Sequence, residues 1–206
     1  MVVEQIKAVF DNFSYIIYCL KSKEAVIVDP SFDATKALEY ISTNGLKLKY
    51  IILTHYHSDH TRDTLRIKDS YPNVKIISSK SDGENMGFNV DLYISDNDEL
   101  KVGEVNLKFI LTPGHTKGGI CIIVDNQAIL TGDTLFIGDC GRTDLPGGSL
   151  EQMFKTLQEK IKSLPNNLIV YPGHDYGSKP FDTLGNQKKT NKVLIAKSLE
   201  EFSKIP

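Results

Sequence analysis

The sequence predicts an α/β protein in which mixed sheets carry helices on their outer faces. Three observations support this. Short apolar runs and segments of helical periodicity interleave along the chain with no linker between them. Four of the apolar runs stop abruptly at a turn that carries His or Asp, as strands do when they lead into functional loops. The 206 residues fit one domain, which can bury a sizeable core.

Ser14 to Leu20 and Ala25 to Val28 read as strands separated by Lys21-Ser22-Lys23-Glu24, the pattern of a hairpin. Ala34 to Ser42 places Ala37, Leu38 and Ile41 at helical spacing. Tyr50 to Leu53 and Val74 to Ser78 are strands, with a helix over Thr61 to Ser70 between them. Gly83 to Asn97 is polar and contains Gly, which predicts a mobile loop near the functional strand ends. Val105 to Leu111, Gly119 to Val124 and Ala128 to Leu130 are three further strands, and Asp125-Asn126 is the turn signal between the last two. Ser149 is placed to cap a helix running through Leu164 and ended by Pro165. Within it Met153, Phe154, Leu157 and Ile161 form an apolar stripe that reads as core. Leu168 to Val170 is a last apolar run, and no internal repeat is visible.

Composition narrows the class. Net charge is −2, from 24 basic and 26 acidic residues, with no polybasic block, so nucleic acid is a poor default partner. No apolar run approaches the roughly 18 residues that a membrane helix needs. The start, Met1-Val2-Val3-Glu4-Gln5, lacks the pattern of a signal peptide. Cys19, Cys121 and Cys140 are widely spaced and form no Cys-x-x-Cys, the usage of reduced thiols in the cytoplasm. Cys121 lies in an apolar run and reads as core; Cys140 is read as a buried, inert thiol rather than a redox-sensitive one.

The chemistry concentrates in Thr54-His55-Tyr56-His57-Ser58-Asp59-His60, directly after Tyr50 to Leu53. Imidazole and carboxylate suit zinc, iron or manganese. In extended chain, residues two apart point the same way, so His55 and His57 can share one metal. If the chain then turns into a helix, Asp59 and His60 can face a second. Three more strand ends carry candidate ligands: Thr112-Pro113-Gly114-His115-Thr116, Thr131-Gly132-Asp133-Thr134, and Tyr171-Pro172-Gly173-His174-Asp175-Tyr176. A lone His after Gly is usually an ordinary surface residue, but four such strand ends together form a constellation.

The order His55-x-His57-x-Asp59-His60, His115, Asp133, His174 resembles the metallo-β-lactamase-fold superfamily, from Val28-Asp29-Pro30 to about Asn191. The resemblance implies a four-layer αββα sandwich. In the glyoxalase II branch the matching residues form a two-metal site, most often zinc, with iron or manganese as alternatives. Carried over, His55, His57 and His115 would bind one metal, Asp59, His60 and His174 the other, and Asp133 would bridge them. Asp29 matches an acid that orients a ligand in the family, or else is a plain turn residue before Pro30. Two adjacent metals can hold a hydroxide and polarise a carbonyl oxygen, so no Ser or Cys nucleophile is needed, and Asp59 and Asp133 offset the cationic charge.

Within the superfamily, Cys140-Gly141-Arg142-Thr143-Asp144 resembles a loop of both small glyoxalase II-like hydrolases and persulfide dioxygenases. In the latter a single ferrous iron is held by the counterparts of His55, His115 and Asp133. Leu145-Pro146-Gly147-Gly148 departs from the Phe-Gln usual in those dioxygenases, which favours a hydrolase acting on a small thioester of the hydroxyacylglutathione type. The chain ends at Pro206, soon after His174, so one domain over 1–206 is expected, without the helical C-terminal domain of full-length glyoxalase II. A non-catalytic metal-binding partner protein is the third alternative. Arg142, whose guanidinium can grip a carboxylate, and Tyr176 are the candidate substrate contacts. The bland alternatives are an ion pair of Arg142 with Asp139 or Asp144, and core packing of Tyr176.

Overall fold

The structure is a computed structural model and describes residues 1–205. Strands β1 (Val2–Lys7), β2 (Phe13–Tyr18) and β3 (Glu24–Val28) form an antiparallel meander. Helix α1 (Thr35–Thr43) crosses over to β4 (Lys47–Ile52), parallel to β3. Helices α2 (Ser58–Thr61) and α3 (Thr64–Ser70) lead to β5 (Lys75–Ser79), parallel to β4. After α4 (Lys80–Gly83), β6 (Leu92–Ile94) completes a six-stranded sheet in the order β1-β2-β3-β4-β5-β6.

The second sheet begins as a meander of β7 (Glu99–Val102), β8 (Val105–Leu111), β9 (Ile120–Val124) and β10 (Ala128–Gly132). Helix α5 (Leu150–Lys155) continues as a π-helical stretch, Thr156–Ile161, and returns the chain to β11 (Ile169–Pro172), parallel to β10. β12 (Asp182–Thr183) pairs antiparallel with β11, giving the order β12-β11-β10-β9-β8-β7. Helices α6 (Leu184–Thr190), α7 (Lys192–Ile195) and α8 (Leu199–Ser203) follow. Among the described residues no helix is long and apolar enough to cross a membrane.

Alternation along the strands sorts the apolar side chains into layers. Phe13, Tyr15 and Ile17 of β2 face β8 and β9 residues such as Leu107, Phe109 and Ile122, and this cluster joins the two sheets. Ile16 and Tyr18 point the other way and pack with Ala37 and Ile41 of α1 and Ile67 of α3. On the outside of the second sheet, Ile110, Cys121 and Ile129 pack against Met153, Leu157 and Ile161 and against Val193 and Phe202 of the last helices. The result is the expected four-layer αββα sandwich. Strands buried on both faces have no polar alternation, which is why β9 is a continuous apolar run and β2 is broken only by Ser14.

Local chemistry sets the connections. Asp125 and Asn126 adopt φ of +47° and +54°, as a type I′ hairpin turn requires, and Gln127 N–H closes it onto Val124 O at 2.9 Å. Ser149 caps α5 by accepting the Gln152 N–H at 3.3 Å. Ser149→Ala is therefore expected to cost about 1 kcal/mol of unfolding free energy, read from the urea midpoint.

Several expectations need correction. The helix expected over Thr61 to Ser70 is two helices, α2 and α3, and the first begins early enough to carry Asp59 and His60. Gly83 to Asn97 contains β6 in register with β5, and the cavity described below is not lined by it. The helix capped by Ser149 keeps its start, but its second half is π-helical.

Candidate metal centre

The candidate ligands all follow the C-terminal ends of strands along one edge of the sandwich: Asp29 after β3, His55 to His60 after β4, His115 after β8, Asp133 after β10 and His174 after β11. His57 is still extended, at φ −60° and ψ 141°, and α2 starts at the next residue. The bend that follows β4 therefore presents His55, extended chain presents only His57, and the helix presents Asp59 and His60.

Two groups result. His55, His57 and His115 each offer a ligand atom, all within 4.8 Å of one another, and so do Asp59, His60 and His174. Asp133 lies between the groups. Its Oδ2 is 3.5 Å from His115 Nε2 and 3.4 Å from His174 Nε2, and its Oδ1 is 3.3 Å from His60 Nε2. Gly173 leaves room for it: an added Cβ there would fall 2.3 Å from Asp133 Oδ1.

The far sides of the His55, His60, His115 and His174 imidazoles are tied down. His115 Nδ1–H donates to the Arg142 carbonyl at 2.6 Å, and His60 Nδ1–H donates to Asp29 Oδ2 at 3.0 Å. Thr54 Oγ1 donates to Asp29 Oδ2 at 2.6 Å and lies 3.1 Å from His55 Nδ1. Such bonds fix the tautomer and leave the other ring nitrogen free to ligate. Asp29 is thus both things the sequence allowed, a turn residue at φ +49° and an orienting acid. It lies close to His55 and His60 as well, but its oxygens are committed to Thr54 and His60, so it supports the ligands instead of joining them.

Sequence reasoning missed three supports. Asn12 donates to Asp59 Oδ2 at 3.2 Å, Asp11 Oδ1 accepts from His174 Nδ1 at 3.4 Å, and Asp82 binds the loops around His57 and His115. None belongs to a ligand-spaced motif.

Electrostatics favour neutral His55 and His57 and ionised Asp59 and Asp133, but hold protons on His60 and His174. Burial and the neighbouring His60 charge depress His55 well below the usual imidazole range, and burial with His115 depresses His57. Burial opposes ionisation of Asp133 and Asp59, yet both stay well below the carboxylate range, because His60 and His174 surround the first and His174, His60 and Asn12 the second. Burial also opposes charge on His174, but its bonds to Asp133 and Asp59 outweigh this and raise it to about 9. A cation entering the second group therefore displaces protons.

His57, Asp59, His115, Asp133 and His174 form the floor of a cavity of about 840 Å³. Phe136, Ile137 and Leu145 give it an apolar wall, and Arg142 and Tyr176 line it too. Tyr176 is 58% exposed, so it is not core; its ring stacks on His174 at 4.7 Å and 6° and meets Phe136 edge-on at 5.1 Å. Arg142 makes a two-point ion pair with Asp144, both bonds 2.7 Å, at the exposed mouth. Cys140 is half-buried and lines the cavity, and burial and the nearby Asp139 push its thiol up to about 12.

Comparison with known proteins agrees with this geometry. The model of the metallo-beta-lactamase superfamily matches residues 9–174. The chain is 33% identical over 196 residues to the mitochondrial persulfide dioxygenase ETHE1 of Mus musculus, covering 94% of the chain and 75% of that protein. It is 31% identical over 198 residues to a probable hydroxyacylglutathione hydrolase of Schizosaccharomyces pombe, covering 93% and 72%. The crystal structure of ETHE1 from Myxococcus xanthus superposes with a TM-score of 0.87 at 27% identity, covering 98% of this chain and 88% of that one. A matched model over most of the chain, relatives above 30% identity and a strand-end cluster of His and Asp agree: the chain belongs to the metallo-beta-lactamase superfamily of metal-dependent enzymes.

Proposed function

We propose that the chain is a binuclear metallohydrolase, acting as a single domain, that cleaves a small thioester of the hydroxyacylglutathione type. The carrying observation is that the second ligand group is as complete as the first and has its own supports, Asn12 on Asp59 and Asp11 on His174. A single cation held at His55, His115 and Asp133 would leave Asp59, His60 and His174 without a ligating role.

The residues fit a pair of cations. His55 Nε2 and Asp133 Oδ1 are buried polar atoms without a hydrogen-bond partner, and both belong to the cluster. Such atoms are costly unless something else satisfies them. His57 Nδ1 and His115 Nε2 converge at 2.9 Å, as two lone pairs aimed at one cation do. In this reading His55, His57 and His115 hold the first cation, Asp59, His60 and His174 the second, and Asp133 both. Imidazole and carboxylate donors favour zinc, with iron or manganese as alternatives. When bound, the cations supply Lewis acidity towards a carbonyl oxygen and lower the pKa of water.

The chain's own side chains do the rest. Asp133 and Asp59 are the catalytic carboxylates: they balance the cationic charge and hold the reacting centre at the cavity floor. Phe136, Ile137 and Leu145 shield the thioester sulfur side from water. Arg142 grips a substrate carboxylate in place of Asp144, and Tyr176 lies against the bound acyl group. Arg142→Ala is expected to raise KM for a carboxylate-bearing thioester about tenfold with little change in kcat, the signature of lost uniform binding. A fall in kcat with KM unchanged would remove Arg142 from the substrate contacts.

The 33% identity to ETHE1 of Mus musculus, a persulfide dioxygenase, supports a second reading, in which one iron at His55, His115 and Asp133 suffices. Two assays on the same protein separate them. Thioester cleavage by the zinc-loaded protein without oxygen uptake supports the hydrolase; oxygen consumption by the iron-loaded protein with glutathione persulfide, and no cleavage, supports the dioxygenase.

A further inference from the structure

Asp82 is a buried carboxylate, 1% exposed, that neither ligand group contains and that does not line the cavity. It sits in α4, at the end of β5, and takes three hydrogen bonds from two other loops. The Tyr56 N–H, between His55 and His57, donates to Oδ2 at 3.2 Å. The Thr116 hydroxyl, next to His115, donates to the same oxygen at 2.7 Å. The Gly118 N–H donates to Oδ1 at 2.7 Å. One carboxylate thus spans the segment that carries two ligands of the first group and the turn that carries the third.

The surroundings are built around this contact. At Gly118 an added Cβ would fall 2.3 Å from Ser79 Oγ and 2.6 Å from Asp82 Oδ1, so only glycine lets the turn approach so closely. Ser79 Oγ accepts the Asp82 N–H at 3.3 Å, which anchors the carboxylate at its own backbone. The second ligand group is supported from elsewhere, by Asn12 and Asp11 in the β1–β2 loop.

We infer that Asp82 is a positioning residue selective for one cation: it holds the His55–His57 segment and the His115 turn at the separation where those three imidazoles converge. This rests on the reading of His55, His57 and His115 as ligands. A merely structural role would instead weaken both cation sites together, or lower stability alone.

Zinc affinity, measured by competition with a chromophoric chelator, tests it in two backgrounds. Asp59→Ala disables the second group, so binding there reports the first; His57→Ala does the converse. Asp82→Asn keeps the shape and one acceptor but turns an amide towards a donor. It is expected to weaken zinc about 10- to 100-fold in the Asp59→Ala background, the usual effect of removing an outer support, and less than about threefold in the His57→Ala background. Should Asp82→Asn fail to fold, Thr116→Val removes one donor at near-constant volume and reads the same selectivity with a smaller loss. Equal losses in both backgrounds, or none in either, overturn the assignment of Asp82. Failure of both parental backgrounds to bind zinc overturns the ligand reading instead.

Discussion

Asp133→Asn is expected to empty one of the two cation positions and to lower kcat/KM for thioester cleavage by about 10³-fold, or about 4 kcal/mol at roughly 1.4 kcal/mol per decade. Asp133 is the one residue of the candidate set that faces both groups, with oxygens 3.3 to 3.5 Å from His60, His115 and His174. The amide keeps the shape but replaces one oxygen by an NH₂ that cannot ligate, and it removes the negative charge that offsets two cations. The loss therefore falls on the chemistry as well as on metal content. Metal analysis and steady-state kinetics on the same preparation, with circular dichroism to confirm folding, check it. A variant that keeps two cations and works within about tenfold of wild type would show that Asp133 does not bridge them.

Asp29→Ala is expected to lower the unfolding free energy of the metal-free protein by about 3–5 kcal/mol, the range for removing one partner of a buried pair. The carboxylate accepts from the Thr54 N–H at 2.7 Å, the Thr54 hydroxyl at 2.6 Å and His60 Nδ1 at 3.0 Å. Alanine leaves these donors unsatisfied in a region closed to water. It also sits poorly at φ +49°, where Asp and Asn are tolerated and Ala is strained. Against a total stability of roughly 5–15 kcal/mol this is a large share. Asp29→Asn, which keeps the turn and one acceptor, should lose markedly less. Urea unfolding of both variants, with midpoints compared at constant m, reads the difference. Equal midpoints for wild type and Asp29→Ala would mean that the buried contacts of Asp29 contribute nothing to folding.

Much of the sandwich was legible from apolar runs: Gly119 to Val124, buried on both faces, begins one residue before β9, and Val105 to Leu111, interrupted by Asn106 and Lys108, coincides with β8. The strands that escaped notice are those without such a run. β1 mixes Glu4 and Gln5 with its apolar residues, β7 alternates with Glu99 and Lys101, and β6 and β12 span only three and two residues. Helices α6 to α8 are too short to show a helical period.

The ligand groups were legible for a similar reason. The short turn from β4 into α2 sets where His55, His57, Asp59 and His60 point, and the two groups that converge are those the family resemblance implied. Their supports were not legible, because each acts over a long stretch of chain. Asn12 reaches Asp59 across 47 positions, Asp82 reaches Gly118 across 36, and Asp11 reaches His174 across 163. No local pattern encodes such contacts; the strand order of the first sheet brings Asn12 to Asp59, and the closing of the two sheets brings the other two pairs together.

With both ligand groups filled, the chain holds two cations. The direct measurement is the number bound per chain, by elemental mass spectrometry after loading with zinc and removing the excess, for wild type and for Asp59→Ala. Two are expected for the wild type and one for the variant. One cation in both, whatever the metal supplied, would contradict it and leave the single-iron dioxygenase as the better description.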